Sequence, residues 1–493
     1  MTRVVIVGGG NAALCAAISA RERGADVILL ERAPYELRGG NSRFTAGAMR
    51  TVYEGIDDLL RIMPDLTQSE IERTEFGTYA REDFYDDLGR VTNYRIDPDL
   101  AERLVEESFN TLRWMRQHGV RFLPLYGRQS FEIGGTVRFW GGLTVEAWGG
   151  GPGLVDSLTA IAEKLGVAIR YQSRTTRLLS DSGIVCGVEV DDTAIAADAV
   201  VLACGGFESN PAWRARYLGP GWDLAPVRGT RFNTGDGIKM ATDMGAATRG
   251  HWSGCHAVSW DLNAPEFGDL EVGDNFQKHS YPLGIMINAD GKRFVDEGAD
   301  FRNYTYARYG REILKQPGQF AYQIFDKKVS PLLRDEYRIK QVTRVQAETL
   351  SELAQRMEGV DTENFVSCVT AYNAACSADT PFDPSVKDGL STQGLAVPKS
   401  NWANPIDTPP FEAYGVTCGI TFTFGGLHVD PKARVIDEAG SPIPGLYAAG
   451  EIVGGLFYFN YPGGTGLTSG SVFGRIAGAN AANRSSFAEV AAR

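Results

Sequence analysis

Val4-Val5-Ile6-Val7-Gly8-Gly9-Gly10-Asn11-Ala12-Ala13, followed by a run of small residues and then by Val27-Ile28-Leu29-Leu30-Glu31, stands at the head of the chain. The β-branched run reads as a buried parallel strand, the Ala-rich segment as a crossover helix, and Glu31 as the residue closing a second strand. In a nucleotide-binding turn each position has a mechanical task. Gly8 permits the tight turn, and Gly10 lets the backbone approach a pyrophosphate at the positive helix N-terminus. Ala13 keeps helix and strand close, and Glu31 accepts hydrogen bonds from ribose hydroxyls. A lone glycine triplet is a weak signal. Strand, turn, helix, strand and acid at this separation form a strong one.

Similar elements recur far downstream. Ala199-Val200-Val201-Leu202-Ala203-Cys204 is strand-like and runs into Gly205-Gly206-Phe207. Pro444-Gly445-Leu446-Tyr447-Ala448-Ala449-Gly450-Glu451 is another, followed by Gly454-Gly455 and Gly463-Gly464-Thr465-Gly466-Leu467-Thr468. Residues 469–482 then read as a Gly- and Ala-rich helix, and 97–122 as a helix whose Leu100, Leu104, Phe109, Leu112, Trp114 and Met115 face a core. The expected architecture is α/β, with residues 1–246 and 419–493 forming one Rossmann-like domain and residues 247–418 an inserted α+β capping domain.

The 493 residues allow two or three domains and a large core. Apolar content of 43% and charged content of 22% are those of a globular protein. The longest apolar runs are strand-sized, so no transmembrane segment is expected. A strand starting near Arg3 leaves no room for a signal peptide, and the expected location is cytoplasmic or peripheral to a membrane electron-transfer partner. A net charge of -12 argues against nucleic acid as a partner. The seven cysteines are scattered without a CxxC pair, which implies reduced thiols and no iron–sulfur or haem spacing. Five histidines without an HExxH arrangement give no expected metal site.

The ordered series Gly8-Gly9-Gly10, Gly39-Gly40-Asn41-Ser42, Ala203-Cys204-Gly205-Gly206-Phe207-Glu208, Asn233-Thr234-Gly235-Asp236-Gly237, Gly291-Lys292-Arg293-Phe294-Val295-Asp296-Glu297 and Gly445-Leu446-Tyr447-Ala448-Ala449-Gly450-Glu451 spans nearly the whole chain. It resembles the FAD-binding fumarate reductase/succinate dehydrogenase flavoprotein superfamily. Within it, Glu297-Gly298-Ala299-Asp300-Phe301-Arg302-Asn303-Tyr304 and Asn460-Tyr461-Pro462-Gly463-Gly464-Thr465-Gly466 resemble FAD-dependent tricarballylate dehydrogenases. Tyr461-Pro462-Gly463 is also similar to flavin-dependent 3-ketosteroid Δ1-dehydrogenases.

The resemblance implies a Rossmann-like FAD-binding domain of the glutathione-reductase type under an inserted cap. It implies that Gly8, Gly10, Asn11, Ala12 and Ala13 hold the pyrophosphate, that Glu31 and Arg32 lie at the ribose, and that Gly40, Asn41, Ser42, Thr45 and Gly47 follow the pyrophosphate and flavin edge. Ala203, Gly205 and Gly450 would complete the wall, Glu451 would bind ribityl hydroxyls, and Gly466, Leu467 and Thr468 would present backbone donors to the pyrimidine carbonyl, where a helix N-terminus favours the anionic reduced flavin. Asp236 is included with the cofactor-side residues, and the favoured reading of it is a turn or helix-cap carboxylate beside Thr234 and Gly235. Some relatives attach flavin through a histidine after the second strand. This chain has Ser42-Arg43-Phe44-Thr45 there, which implies non-covalent FAD.

Members of the superfamily move a hydride between flavin N5 and a carbon next to a carbonyl or carboxylate, and a side chain handles the neighbouring proton. By resemblance that side chain is Arg302, which stands one place later than a strict alignment would put it, where Phe301 falls. Tyr304 is the second acid/base candidate. The alternative for Arg302 is an ion pair with Asp300 or Glu297. An arginine is a poor base unless neighbours and desolvation act on it. Two clamp positions depart from fumarate reductases: Thr421-Phe422-Thr423-Phe424 replaces a histidine segment, and Tyr461 replaces an arginine. Loss of a charge-assisted pair implies weak binding of a small dianion such as fumarate. Gln277, His279 and Ser280 stand where those enzymes keep a proton relay. The pocket candidates are therefore His279, Tyr281, Arg302, Tyr304, Thr421, Thr423, Asn460 and Tyr461, with Tyr461 able to donate to a substrate carbonyl. His256 either lines the pocket or sits in the core, and His118 and His428 read as surface or turn residues.

The expected activity is FAD-dependent desaturation of a C–C bond α,β to a carboxylate or ketone, tricarballylate dehydrogenase-like. The alternatives are a cyclic-ketone or 3-ketosteroid-type Δ1-dehydrogenase and a fumarate or enoate reductase. The expected partners are a small organic acid or ketone and a separate electron acceptor: a quinone-linked protein, a soluble carrier or oxygen.

Overall fold

The computed structural model describes residues 1–377 and 380–484. The opening sequence folds as its pattern demands: a strand over Arg3–Val7, a helix over Asn11–Glu22 and a strand over Asp26–Leu30. These lie in a six-stranded sheet ordered Arg434–Ile436, Pro442–Ala448, Ala199–Leu202, Arg3–Val7, Asp26–Leu30 and Ala168–Arg170. All neighbours are parallel except the antiparallel edge pair at the first of these strands. The four strands central to this order are apolar and buried because the helices Asn11–Glu22 and Thr465–Ala482 and the antiparallel strand Ile184–Val190 pack against them. Both ends of the chain thus build one sheet.

The turn that joins strand to helix requires glycine. Gly8 has φ of 114°, and a Cβ there would lie 2.3 Å from the Ala203 carbonyl oxygen. The first helix packs against the C-terminal helix Thr465–Ala482 through small residues. Added Cβ atoms at Gly474 and Gly478 would stand 2.3 and 2.1 Å from the carbonyl oxygens of Ala12 and Ala16. Asn11 locks the two: its Nδ2 donates to the Leu467 carbonyl at 2.7 Å, and its Oδ1 accepts from the Ser471 hydroxyl at 2.9 Å. The helix expected around 97–122 spans Pro98–His118, started by Asp97, whose Oδ1 accepts the Asp99 and Leu100 amides, and stopped by Gly119 at φ 114°.

The cap is built on antiparallel strands Thr248–Asp261, Phe411–Leu427, Phe320–Phe325 and Ile285–Asn288, with Arg344–Ala347 also paired to Phe411–Leu427. The expected start of the insertion near 247 coincides with the first of these strands. The expected end at 418 falls inside the strand Phe411–Leu427, which continues from the cap down to the cofactor domain. Gly419 does not break it: a Cβ there would meet Trp260 at 2.6 Å, so this glycine makes room for an indole rather than a turn. The lower half of that strand carries Thr421–Phe424 onto the wall of the central cavity. All seven cysteines are free thiols, three of them buried. No helix among the described residues is long and apolar enough to cross a membrane.

Candidate active site

A single cavity runs from the N-terminal turn to the underside of the cap. Gly8, Gly10, Asn11, Ala12, Glu31 and Arg32 line one end, and Arg128, Arg228, Asp274, Arg302, Tyr306 and Tyr461 the other. Between them lie Gly40, Asn41, Ser42, Thr45, Ala203, Gly205, Gly450, Glu451, Gly466 and Leu467. Ala13, Gly47 and Thr468 stand off the wall. The Thr468 hydroxyl is occupied by the Arg50 carbonyl at 2.8 Å, and Gly47 packs against Gly150.

The first end has the chemistry of a dinucleotide cradle. The helix Asn11–Glu22 begins at Gly10 without a side-chain cap, so its first amides face the cavity, and the Asn11 amide is met by Ser42 Oγ at 3.1 Å. Glu31 is buried and accepts the Ala33 amide at 2.8 Å; burial pushes its carboxyl above the usual range, against the pull of neighbouring amides. Asp236 opens the helix Asp236–Thr242 and is bound by Arg32 at 3.0 Å and Arg174 at 3.0 Å, so its role is an ion-paired carboxylate at the cavity rim. Arg32 is thereby held by Asp236 and by the Thr234 hydroxyl at 2.8 Å. Asn41 ties three segments together, donating to Glu208 Oε1 at 2.7 Å and the Thr421 carbonyl at 2.8 Å, and accepting the Thr230 amide at 3.0 Å. The C-terminal helix presents its own amino end, capped by Gly464 at φ 82°, with Gly466 and Leu467 on the wall. A glycine turn that a Cβ would fill, two helix N-termini and two buried acids fit a pyrophosphate-bridged nucleotide.

The cap end is cationic. Arg228 is buried and gives Nε and a terminal nitrogen to Asp274 Oδ1, the former at 2.8 Å. Arg128 reaches Asp274 Oδ2 at 2.8 Å, and Gln277 donates to the same oxygen at 2.9 Å. Burial alone would lower the Arg228 guanidinium, but Asp274 outweighs it and holds it above its ordinary value. Arg302 donates to the Arg128 carbonyl at 2.6 Å, to Gln129 Oε1 at 2.7 Å and to His279 Nδ1 at 3.3 Å. Burial pushes its guanidinium down; Glu336 opposes this and Arg128 reinforces it. Three guanidiniums therefore line this end, with Asp274 the carboxylate beside them on the wall and Glu336 a further acid acting on Arg302.

The expected pairing of Arg302 with Asp300 or Glu297 is not what the fold makes. Asp300 is taken by Arg90 at 2.6 Å and Glu297 by Arg293 at 2.5 Å, leaving Arg302 free to face the cavity. Tyr304, two residues on in the same short helical turn Arg302–Tyr304, points elsewhere. Its hydroxyl donates to Asp87 at 2.5 Å, beside Arg50, and burial pushes it up to about 12. It is absent from the cavity wall, which separates it from the site where an acid/base must act. His279 sits behind Arg302 rather than on the wall, kept neutral by burial and by the Arg302 charge. Tyr281 is buried on Thr305 and Asn460 donates to the Tyr304 carbonyl at 2.5 Å, so neither lines the cavity. Tyr461 does, with its hydroxyl hydrogen-bonded to that of Tyr306. Thr421 and Thr423 are on the wall too. His256, left open by its sequence, lines the cavity with both ring nitrogens unpartnered and burial keeping it neutral, ringed by Tyr306, Phe422 and Tyr461.

The model of a family described as FAD binding domain matches residues 3–467. The chain belongs to this family of FAD-binding proteins. It is 29% identical over 496 residues to the probable fumarate reductase Ifc3 of Shewanella frigidimarina (strain NCIMB 400), covering 98% of this chain and 75% of that protein. It is 25% identical over 574 residues to the 3-oxosteroid 1-dehydrogenase of Mycobacterium tuberculosis (strain ATCC 25618 / H37Rv), covering 98% of each. Its structure superposes on the open conformation of a flavocytochrome c3 fumarate reductase with a TM-score of 0.72 at 29% identity, over 98% of this chain and 78% of that one. The α/β fold with its Rossmann-like FAD domain is thereby shown. The protein is an FAD-dependent oxidoreductase acting on CH–CH groups.

For this flavoprotein family member, sequence reading missed Arg128, Arg228, Asp274 and Tyr306. Arg228 carried a faint signal, a cation directly after the apolar run Ala225-Pro226-Val227. Arg128 carried none, because only the fold brings residues 128, 228 and 274 together.

Proposed function

We propose that this enzyme desaturates a polycarboxylic acid at the carbon–carbon bond α,β to a carboxylate, in the manner of a tricarballylate dehydrogenase. The observation that carries this reading is the cap end of the cavity, where the two guanidiniums of Arg128 and Arg228 share the one carboxylate of Asp274. A buried excess of guanidinium charge is costly in the absence of an anion and becomes favourable when a carboxylate enters. The clamp missing at Tyr461 is supplied from other segments, so the weak dianion binding expected from residues 421–424 and 461 gives way to strong binding of an anionic acid.

Bound FAD supplies the hydride acceptor. Arg302 takes the proton from the adjacent carbon, the two C–H bonds break, and the carbon–carbon double bond forms. Burial favours the neutral form of Arg302 that this step needs, and the carbonyl of residue 128 and Gln129 fix its orientation. His256, neutral and unpartnered, and Tyr461 offer hydrogen bonds to the activating carboxylate. The Tyr306–Tyr461 hydroxyl pair supports the second reading, a cyclic ketone polarised by a phenol. Anaerobic mixing of oxidised enzyme with tricarballylate, succinate or a 3-ketosteroid separates the two. Flavin bleaching with tricarballylate and not with the steroid is the expected result, and the reverse pattern would replace this reading with the ketone one.

The FAD is held without a covalent bond. Ser42-Arg43-Phe44-Thr45 offers no histidine, and the Ser42 hydroxyl meets the Asn11 amide. Acid precipitation is expected to leave all flavin in the supernatant, and yellow colour remaining on the pellet would refute it. The electrons pass on to a separate acceptor, and dye reduction compared with oxygen consumption identifies its type.

A further inference from the structure

Two acidic side chains meet beside the cavity, and among the described residues neither forms an ion pair. Glu208 follows the strand Ala199–Leu202 and is wholly buried; Glu451 follows Pro442–Ala448 and lines the cavity. One amide spans both, since Asn233 Nδ2 lies 2.7 Å from Glu208 Oε1 and 3.4 Å from Glu451 Oε2. Asn41 donates a second hydrogen bond to Glu208 Oε1 at 2.7 Å, and the Thr423 amide donates to Glu451 Oε1 at 2.9 Å. Glu208 Oε2 is buried and receives no donor, and Glu451 is a side-chain hydrogen-bonding neighbour of the Glu208 carboxyl. Gly206 leaves the space for this meeting, since a Cβ there would lie 2.3 Å from Glu451 Oε1.

We propose that Glu208 and Glu451 hold one proton between them, and that Glu208 is the positioning residue which, through that proton, fixes Glu451 against the cofactor and limits the pair to a single negative charge. Two bare carboxylates in contact would repel, whereas a bridging proton turns the contact into a hydrogen bond. Burial raises both carboxyls, and for Glu451 the adjacent Glu208 charge carries it well above the usual range. The single charge matters because the pyrophosphate of FAD is itself anionic, and a second charge on the pair would oppose its binding. The same acid gathers Asn41, Asn233 and Glu451 from three distant segments, so one side chain sets the geometry of the middle of the cradle. This role is independent of which substrate the cap end takes.

The charged and titratable groups that face the pair are Arg214, from the segment Arg214–Leu218, and Cys255, from the cap strand Thr248–Asp261. Arg214 is engaged by the carbonyls of Ala225 at 2.6 Å and Asp223 at 2.9 Å. Burial pushes the Cys255 thiol up to about 12, so it does not ionise where the pair does.

The test is the dissociation constant of FAD, followed by free-flavin fluorescence after ultrafiltration of the holoenzyme, from about pH 6 to about pH 10. In the wild type the constant is flat near neutrality and then rises by up to about tenfold per pH unit as the shared proton leaves. Glu208→Gln has one ionisation fewer and shows no such alkaline rise. An identical rise in Glu208→Gln would overturn the proposal. Should that variant not fold, infrared difference spectra of the wild type between neutral and alkaline pH still decide. Loss of a protonated-carboxyl band that is missing in Glu451→Gln is expected, and the same band loss in both proteins would overturn it.

Discussion

Arg302→Ala is expected to lower turnover by at least about a hundredfold while FAD remains bound. The guanidinium lies at the cap end of the cavity, and none of its partners, the Arg128 carbonyl, Gln129 and His279, belongs to the nucleotide cradle. Its removal therefore leaves the glycine turn, Glu31 and Glu451 untouched. The pH profile distinguishes proton transfer from mere substrate binding. Desaturation needs the neutral guanidinium, whose population grows with pH. Burial lowers the pKa of Arg302, which brings the neutral form closer to working pH. Wild-type turnover at saturating substrate should therefore climb with pH, and the residual rate of Arg302→Ala should not. Added guanidine should restore part of the lost rate at alkaline pH. A variant with near wild-type turnover, or one that loses only substrate affinity, would move the acid/base role to another residue.

The contrast with Tyr304 shows what a sequence can and cannot convey. Arg302 is the first and Tyr304 the second acid/base candidate by resemblance, and the two lie two residues apart, yet a short helical turn sends them in different directions. One reaches the cavity, and the other is held by Asp87. Local patterns were legible where the chain's own backbone does the work. The glycine at residue 8, the uncapped helix start at Gly10 and the acid at 31 are contiguous features, and their roles follow from backbone geometry alone. No local signal marks where the strand Phe411–Leu427 passes from the cap to the cofactor domain, and Gly419 within it is a packing gap under Trp260. Least visible was the cationic end of the site. Arg128, Arg228 and Asp274 sit in three unrelated stretches, and their charges acquire meaning only when the cap closes over the cofactor domain. Motif positions report only the cations absent from them, because a cation supplied by another segment leaves no mark there.

The buried Arg128–Asp274–Arg228 cluster leads to the second large effect. Asp274→Asn should destabilise the protein by about 3–5 kcal/mol, the usual consequence of removing one partner from a buried ion pair. The side chains of Arg228 and Asp274 are only 7% and 6% exposed, so water cannot replace the lost carboxylate. Asparagine keeps a hydrogen-bonding oxygen, and the loss is therefore one of charge, with Arg128 and Arg228 left facing each other uncompensated. If this end of the cavity is built for an anionic acid, that acid can supply the missing charge. Thermal melts of the holoenzyme should then show a low melting temperature for Asp274→Asn in anion-poor buffer, and a rise on adding tricarballylate larger than the rise in the wild type, as linkage requires of a ligand bound more tightly to the variant. Salt would give a smaller and less specific recovery by screening. A variant as stable as the wild type, with an equal or smaller shift from the acid, would mean that the guanidiniums at 128 and 228 serve the fold alone, and the assignment of a polycarboxylate substrate would lose its physical basis.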